Sequence, residues 1–301
     1  MRRAGLVLLL AALALPTARP AWSQGARPGR VDADLAFAGR LLEDGDFPSA
    51  AVEFQRVLVA ELDDSVAFRA WTGLALSQFS AGSPEQAGLA LRVAEDHAPT
   101  PLLRDETRIM RGTMDLAAGN TAQATLQFLE MEGTAGDPGI RSRARFLAGV
   151  GAVRLHRWAQ ARELFTRFFS ETPPADSAGF RRLDRLLARA AKHRGRSATV
   201  ARRLSTVVPG AGQFYVGDWL NGLDAMALNG AAVYWLVGSV QDGAAADAVL
   251  KSVLVLSRYY LGNRYQARVR AERRNGRDAD RLGAEADRLA RAAVGSAPPV
   301  P

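Results

Sequence analysis

The chain of 301 residues has no cysteine, which excludes disulfides, zinc–thiolate sites and cysteine nucleophiles. Histidine is nearly absent too: His97, His156 and His193 are the only three, and none has a second ligand at metal spacing. Aromatic residues make up 7% of the chain, and β-branched residues are sparse outside short runs, which argues against sheet. No local Ser-His-Asp pattern and no carboxylate pair in an apolar context is present. The expectation is a protein that is not an enzyme and has no catalytic residue, cofactor or metal. Alanine, leucine and arginine dominate instead, and that mixture favours helix.

The net charge of +8 is concentrated in Arg181 to Arg203 and Arg264 to Arg277, on both sides of the only long apolar region after the N-terminus. Basic flanks beside an apolar span mark a membrane boundary more often than a nucleic-acid site, so no nucleic-acid partner is expected. At the N-terminus, Arg2 and Arg3 precede an apolar run, Leu6 to Leu15, and Ala21-Trp22-Ser23 supplies small residues at a cleavage site. Residues 1–23 therefore read as a signal peptide, with an uncleaved anchor as the alternative.

Between residues 31 and 174 the chain repeats itself four times. Small residues fall at Ala38, Ala75, Gly112 and Gly149, alanines at Ala50, Ala87, Ala124 and Ala161, and large apolar residues at Phe54, Leu91, Phe128 and Phe165; each series advances by 37 residues. Val57, Ala94, Met131 and Phe168 form a further series with the same period. The spacing predicts a helix-turn-helix unit in which the small residue lies where helix A crosses helix B. Turn chemistry falls between the helices at Asp44-Gly45-Asp46, Gly82-Ser83-Pro84, Gly119-Asn120 and His156-Arg157. Pro99, Pro138 and Pro173 are expected to end helix B.

This pattern resembles the tetratricopeptide repeat, whose small, alanine and large-apolar positions match all four copies. Trp71, Phe47, Trp158, Pro99 and Pro173 stand at other positions typical of the family. The period here is longer than the usual one, and Leu62 and Gly136 replace the closing proline in units one and three. The resemblance implies a scaffold that binds a protein or peptide in a groove lined by helix A. The groove positions would include Leu35, Leu42, Thr72, Leu76, Phe79, Ile109, Leu116, Phe146 and Val153, with Arg69, Glu106, Arg143 and Arg154 toward the rims. So apolar a groove suits an amphipathic helix or the chain's own C-terminal segment, or its residues simply pack between units.

Residues 177–203 form a basic segment, read over Ser177 to Thr199 as one helix that either caps the last repeat or lies on anionic headgroups. Residues 204–266 follow. The stretch from Pro209 to Gly222 does not suit a phosphate loop, because no βαβ context and no Gly-Lys-Ser/Thr surrounds it. Its pattern resembles that of small bacterial two-transmembrane-helix modules through Pro209, Gly210, Gly212, Gln213, Tyr215, Gly217 and Gly222. Trp219 to Val240 carries one charge, Asp224, and reads as a membrane helix, while Ala244 to Gly262 contains Asp247, Lys251 and Arg258 and depends on the first arm. A soluble hairpin docked on the repeats is the alternative. Residues 267–293 read as a charged helix with a thin seam of Val269, Leu282 and Leu289, and residues 294–301 as a disordered tail.

The expected protein is thus all-α: a tetratricopeptide-like helical-hairpin solenoid followed by an apolar helical hairpin embedded in a membrane. Its expected role is that of a non-enzymatic envelope scaffold. The repeats, exported to the periplasmic side, bind a protein, and residues 204–262 attach to the inner membrane. The alternative is an accessory factor in membrane-protein insertion or envelope biogenesis. Export places both basic flanks outside, against the positive-inside preference, a conflict that long translocated domains tolerate.

Overall fold

The computed structural model describes residues 29–241 and 245–295. The expected leader, 1–23, and residues 296–301 of the expected tail lie outside them. Thirteen helices, and no strand, are present among the described residues.

The first eight helices are α1 (Arg30–Glu43), α2 (Phe47–Val57), α3 (Asp64–Ser80), α4 (Pro84–Asp96), α5 (Pro101–Ala118), α6 (Thr121–Thr134), α7 (Pro138–Arg154) and α8 (Trp158–Glu171). They form four hairpins in register with the sequence repeat. The four A-to-B turns are built alike. The left-handed residue is Gly45, Gly82, Gly119 and then His156, at φ of 82°, 87°, 100° and 57°. The next amide bonds back five residues each time: Asp46 to Leu41, Ser83 to Gln78, Asn120 to Asp115 and Arg157 to Ala152, at 2.8–2.9 Å. This closure satisfies carbonyls that the helix end leaves open, and glycine adopts the required backbone without a Cβ clash. His156 takes that conformation without being glycine, and its ring stacks on Trp158 with centroids 5.3 Å apart.

Helix starts are also legible. Asp46, Asp63, Thr100 and Asp137 accept a hydrogen bond from the amide three residues on, capping α2, α3, α5 and α7. Pro138, expected to end a helix, opens α7 instead, where its missing N–H costs nothing.

The chain divides into two compact units, one of residues 1–191 with 286–301 and one of residues 192–285. In the first, two apolar clusters fill the array. One gathers Leu35, Phe54, Leu74 and Leu91 from the first two hairpins, joined by Met110 and Met114. The other gathers Ile109, Leu116, Phe128, Phe146, Phe165 and Phe168 from the last two. The rings meet glycines: a Cβ on Gly112 would stand 2.6 Å from Phe128, one on Gly149 2.9 Å from Phe165, and one on Gly73 2.2 Å from Phe54. The second cluster also takes Leu183 and Leu187 of α9 (Ser177–Lys192), which closes the array as a capping helix.

The basic connector is two helices rather than one. After α9 the chain breaks and restarts as α10 (Ala198–Val207), because Ser197 caps the new helix through Val200 N at 3.2 Å. Then come α11 (Ala211–Tyr215), α12 (Trp219–Gln241) and α13 (Ala245–Val294). The last is a single helix of 50 residues that runs through the expected boundary between hairpin and charged helix. Nothing there interrupts it: no proline lies between Ala245 and Val294.

Among the described residues no helix is long and apolar enough to cross a membrane. The expected arm from Trp219 to Val240 is helical, but Asn221, Asp224 and Asn229 break up its apolar run. The second arm carries Asp247, Lys251 and Arg258 within α13. Two long helices, α12 and α13, stand where the membrane-spanning hairpin was expected.

Candidate functional site

Two places gather the singled-out residues: the face of the A helices in the first unit, and the Pro-Gly turn in the second.

On the A helices the expected groove positions separate by unit. Ile109, Leu116, Phe146 and Val153 are fully buried, as is Leu35, so they pack inside the array. Leu42, Thr72, Leu76 and Phe79 stay half-buried and remain reachable from outside. At the last two hairpins these residues share their cluster with a further segment. Ala286, Ala290 and Ala293, from the end of α13, lie in the same apolar cluster, with Leu289 and Val294 packed against it. These alanines follow the i, i+4, i+7 spacing of one helix face. Ala293 O accepts from Ala175 N at 2.9 Å, fastening the end of α13 to the loop before α9. The end of the chain's own C-terminal helix thus packs on this face, one of the two occupants that the apolar groove suits.

The seat carries charge as well. Asp287 stands 3.9 Å from Arg154 and 3.9 Å from Arg291. Burial pushes the Asp287 carboxyl above its ordinary value, against the pull of both arginines. Burial likewise pushes Arg154 below its usual range, although its Nη1 donates to Leu116 O at 2.6 Å. Asp287 Oδ1 is buried without a hydrogen-bond partner. Arg143, one helical face nearer the start of α7, donates from Nη1 to Glu106 at 3.2 Å, while its Nε and Nη2 are buried and unpartnered. Below Val294 lies a void of about 30 Å³, lined by Arg143, Phe146, Leu147 and Phe168.

In the second unit, the Pro-Gly residues build a tight, hydrogen-bonded corner. Gly210 has φ of 94°, and a Cβ there would stand 2.4 Å from Gly222 O. A Cβ on Gly212 would stand 2.1 Å from Ala201 O, so α10 and α11 approach backbone to backbone. Gln213 is buried in this corner. Its Oε1 accepts from Ser205 Oγ at 3.0 Å, and that hydroxyl in turn accepts from Gly212 N at 3.0 Å. The Gln213 Nε2 donates to the Asn263 side chain on α13. Tyr215 accepts twice: its hydroxyl from Ser197 N at 3.2 Å, and its carbonyl from Arg196 Nη1 at 2.5 Å. Asp218 pairs with Arg270, and Arg274 Nη1 donates to Val216 O at 2.7 Å beside Gly217. Gly222 leaves room for the Phe214 ring, 2.9 Å from where its Cβ would be. Pro209 precedes the corner and adds no hydrogen bond of its own.

The motif residues therefore converge, but Gln213 and Tyr215 spend their polar groups on residues outside the motif, Ser205, Asn263, Ser197 and Arg196. A cleft of about 340 Å³ lies beside them, lined by Gln213, Asp224, Asn229, Asn263, Gln266 and Arg270 among others. Sequence reasoning missed Ser205 and Asn263, the partners of Gln213; nothing in the spacing signals a contact across fifty residues. It also missed the alanine seam of α13, which was readable as Ala286, Ala290 and Ala293. Among the described residues no group of three or more histidine, aspartate or glutamate side chains could hold a metal ion.

What the fold defines, among the described residues, is an all-helical protein of packed helical hairpins with a second helical unit. No family model matches the chain, and neither a curated protein nor a solved structure is similar to it.

Proposed function

We propose that the protein is a non-enzymatic scaffold of the cell envelope. Its tetratricopeptide-like repeats hold a protein partner, and its second unit attaches to the inner membrane, with the repeats on the periplasmic side. The observation that carries this reading is the surface of α12. Of its described residues only Gly222 and Asn229 are buried, while Trp219, Leu220 and Tyr234 are 66%, 77% and 84% exposed. Leu223, Met226, Leu228, Val233, Trp235 and Val237 are exposed as well, over most of the helix circumference. So many exposed apolar side chains on one helix are costly in water and suit a lipid or protein environment. Trp219 and Tyr234 bring the amphipathic rings favoured at bilayer interfaces, and the arginines of α10 stand nearby in sequence for anionic headgroups.

The test is fractionation of cells expressing the full chain. The protein should stay in the membrane pellet at physiological ionic strength, and Leu220→Glu with Leu223→Glu should move it to the supernatant. A wild-type chain in the supernatant overturns the attachment. Ser80→Cys, exposed at the end of α3, then gives the side: labelling by an impermeant maleimide after opening only the outer barrier is expected. Deleting residues 204–266 separates the scaffold from an insertion accessory. A scaffold keeps its partner in soluble form, and an accessory loses it.

A further inference from the structure

The end of α13 fits its seat poorly, and the misfits share a direction. The groove side is large, made of Ile109, Leu116, Phe146 and Val153, whereas the plug offers Ala286, Ala290 and Ala293. Each alanine buries little apolar surface, and Leu289 and Val294 are only partly buried. The void under Val294 shows the same shortfall in volume. Charge is mismatched in the complementary way. Arg154 meets Asp287 only at 3.9 Å, and Arg143 keeps two buried nitrogens without a partner next to Val294.

Asp287 and Val294 are seven residues apart, two turns on one helix face. The arginines they face, Arg154 and Arg143, lie on α7, and the order of contacts makes plug and α7 antiparallel. A helix with a carboxylate at both plug positions would answer both arginines.

We propose that the face of the last two hairpins is the receptor for an amphipathic helix of a partner protein. That helix has an apolar seam between two acidic residues seven apart, and residues 286–295 hold its place until it exchanges in. This rests on the reading of the repeats as a protein-binding scaffold and names the partner's chemistry. The resident segment is tethered, so it competes at high effective concentration, and only a better-matched helix displaces it.

The absence of cysteine makes exchange measurable on the full chain. Ala175 is exposed, and a Cβ on Gly295 would stand 2.8 Å from the Ala175 Cβ, so a thiol introduced at each reports seating. The chain carrying Ala175→Cys is mixed with a peptide of residues 283–295 bearing Gly295→Cys and Val294→Glu, under disulfide exchange. A control peptide has Ala286, Ala290 and Ala293 replaced by lysine. The matched peptide should form the mixed disulfide at least tenfold faster than the control, and faster than the same peptide with Val294 retained. Adding Arg143→Gln to the chain should erase the second difference.

Equal rates for the matched and lysine peptides overturn the receptor, and equal rates for glutamate and valine at position 294 overturn its acidic specificity. Both readouts are independent of membrane fractionation, so failure here leaves the attachment standing, and failure there leaves the groove standing.

Discussion

Phe128 and Phe165 reach the core only because Gly112 and Gly149 stand opposite them, and this sets how the hairpins respond to a single methyl group. At Gly112 an added Cβ would lie 2.6 Å from the ring. Overpacking of this kind costs about 1–3 kcal/mol. Gly88, inside α4, has no atom within 4 Å of the same position. Gly112→Ala should therefore lower the urea midpoint by an amount equivalent to that cost, while Gly88→Ala should raise stability by about 0.5–1 kcal/mol. If both substitutions move the midpoint the same way, helix propensity and not ring packing governs these sites. The repeat spacing made Gly112 and Gly149 readable as crossing points. It did not show that Phe54 would choose Gly73 of the following hairpin, because neighbouring helices compete for one ring and only packing decides between them.

At the scale of elements, the corner from Val208 to Gly222 ties α10, α11 and α13 together through one buried amide, that of Gln213. Replacing Gln213 with leucine keeps the volume but strands the Ser205 hydroxyl and the Asn263 side chain in a buried place. A stranded buried polar group costs about 1–3 kcal/mol. Gln213→Leu should thus speed hydrogen exchange of the amides in residues 198–216 and leave α1 to α8 unchanged. Unaltered exchange in the corner would mean that the glycine contacts alone hold it. The motif was visible in the sequence as a run of glycines with Gln213 and Tyr215. Its purpose was not, since the partner on α13 lies fifty residues away.

For the whole molecule, the buried carboxylate near the end of α13 makes stability depend on pH against the usual acid trend. Burial raises the Asp287 carboxyl, so the folded chain takes up a proton at a pH where the unfolded chain has lost it. What the group contributes is fully present below the unfolded value, near 4, and is lost as pH rises through the raised folded value. Asp287→Asn has no such dependence. It should be more stable than the wild type at neutral pH, with the gap closing as pH falls toward about 4. A gap that widens on acidification would show that Arg154 holds the carboxylate in a favourable pair. The measurement is a series of urea melts of both chains across that range.

The helical class, the four hairpins, their period of 37 residues and their turns are all legible in the sequence. These follow from local rules: helical spacing of apolar residues, and backbone at Gly45, Gly82 and Gly119 that favours glycine. It was read as ending α13 near residue 266 because its composition changes there, yet composition does not break a helix that lacks proline, and Ala245–Val294 is continuous. Only tertiary structure decided what covers Ile109, Leu116, Phe146 and Val153. The apolar groove admitted an amphipathic helix or the chain's own C-terminal segment, and that Ala286, Ala290 and Ala293 share its cluster is a contact between residues more than a hundred apart that no local pattern encodes.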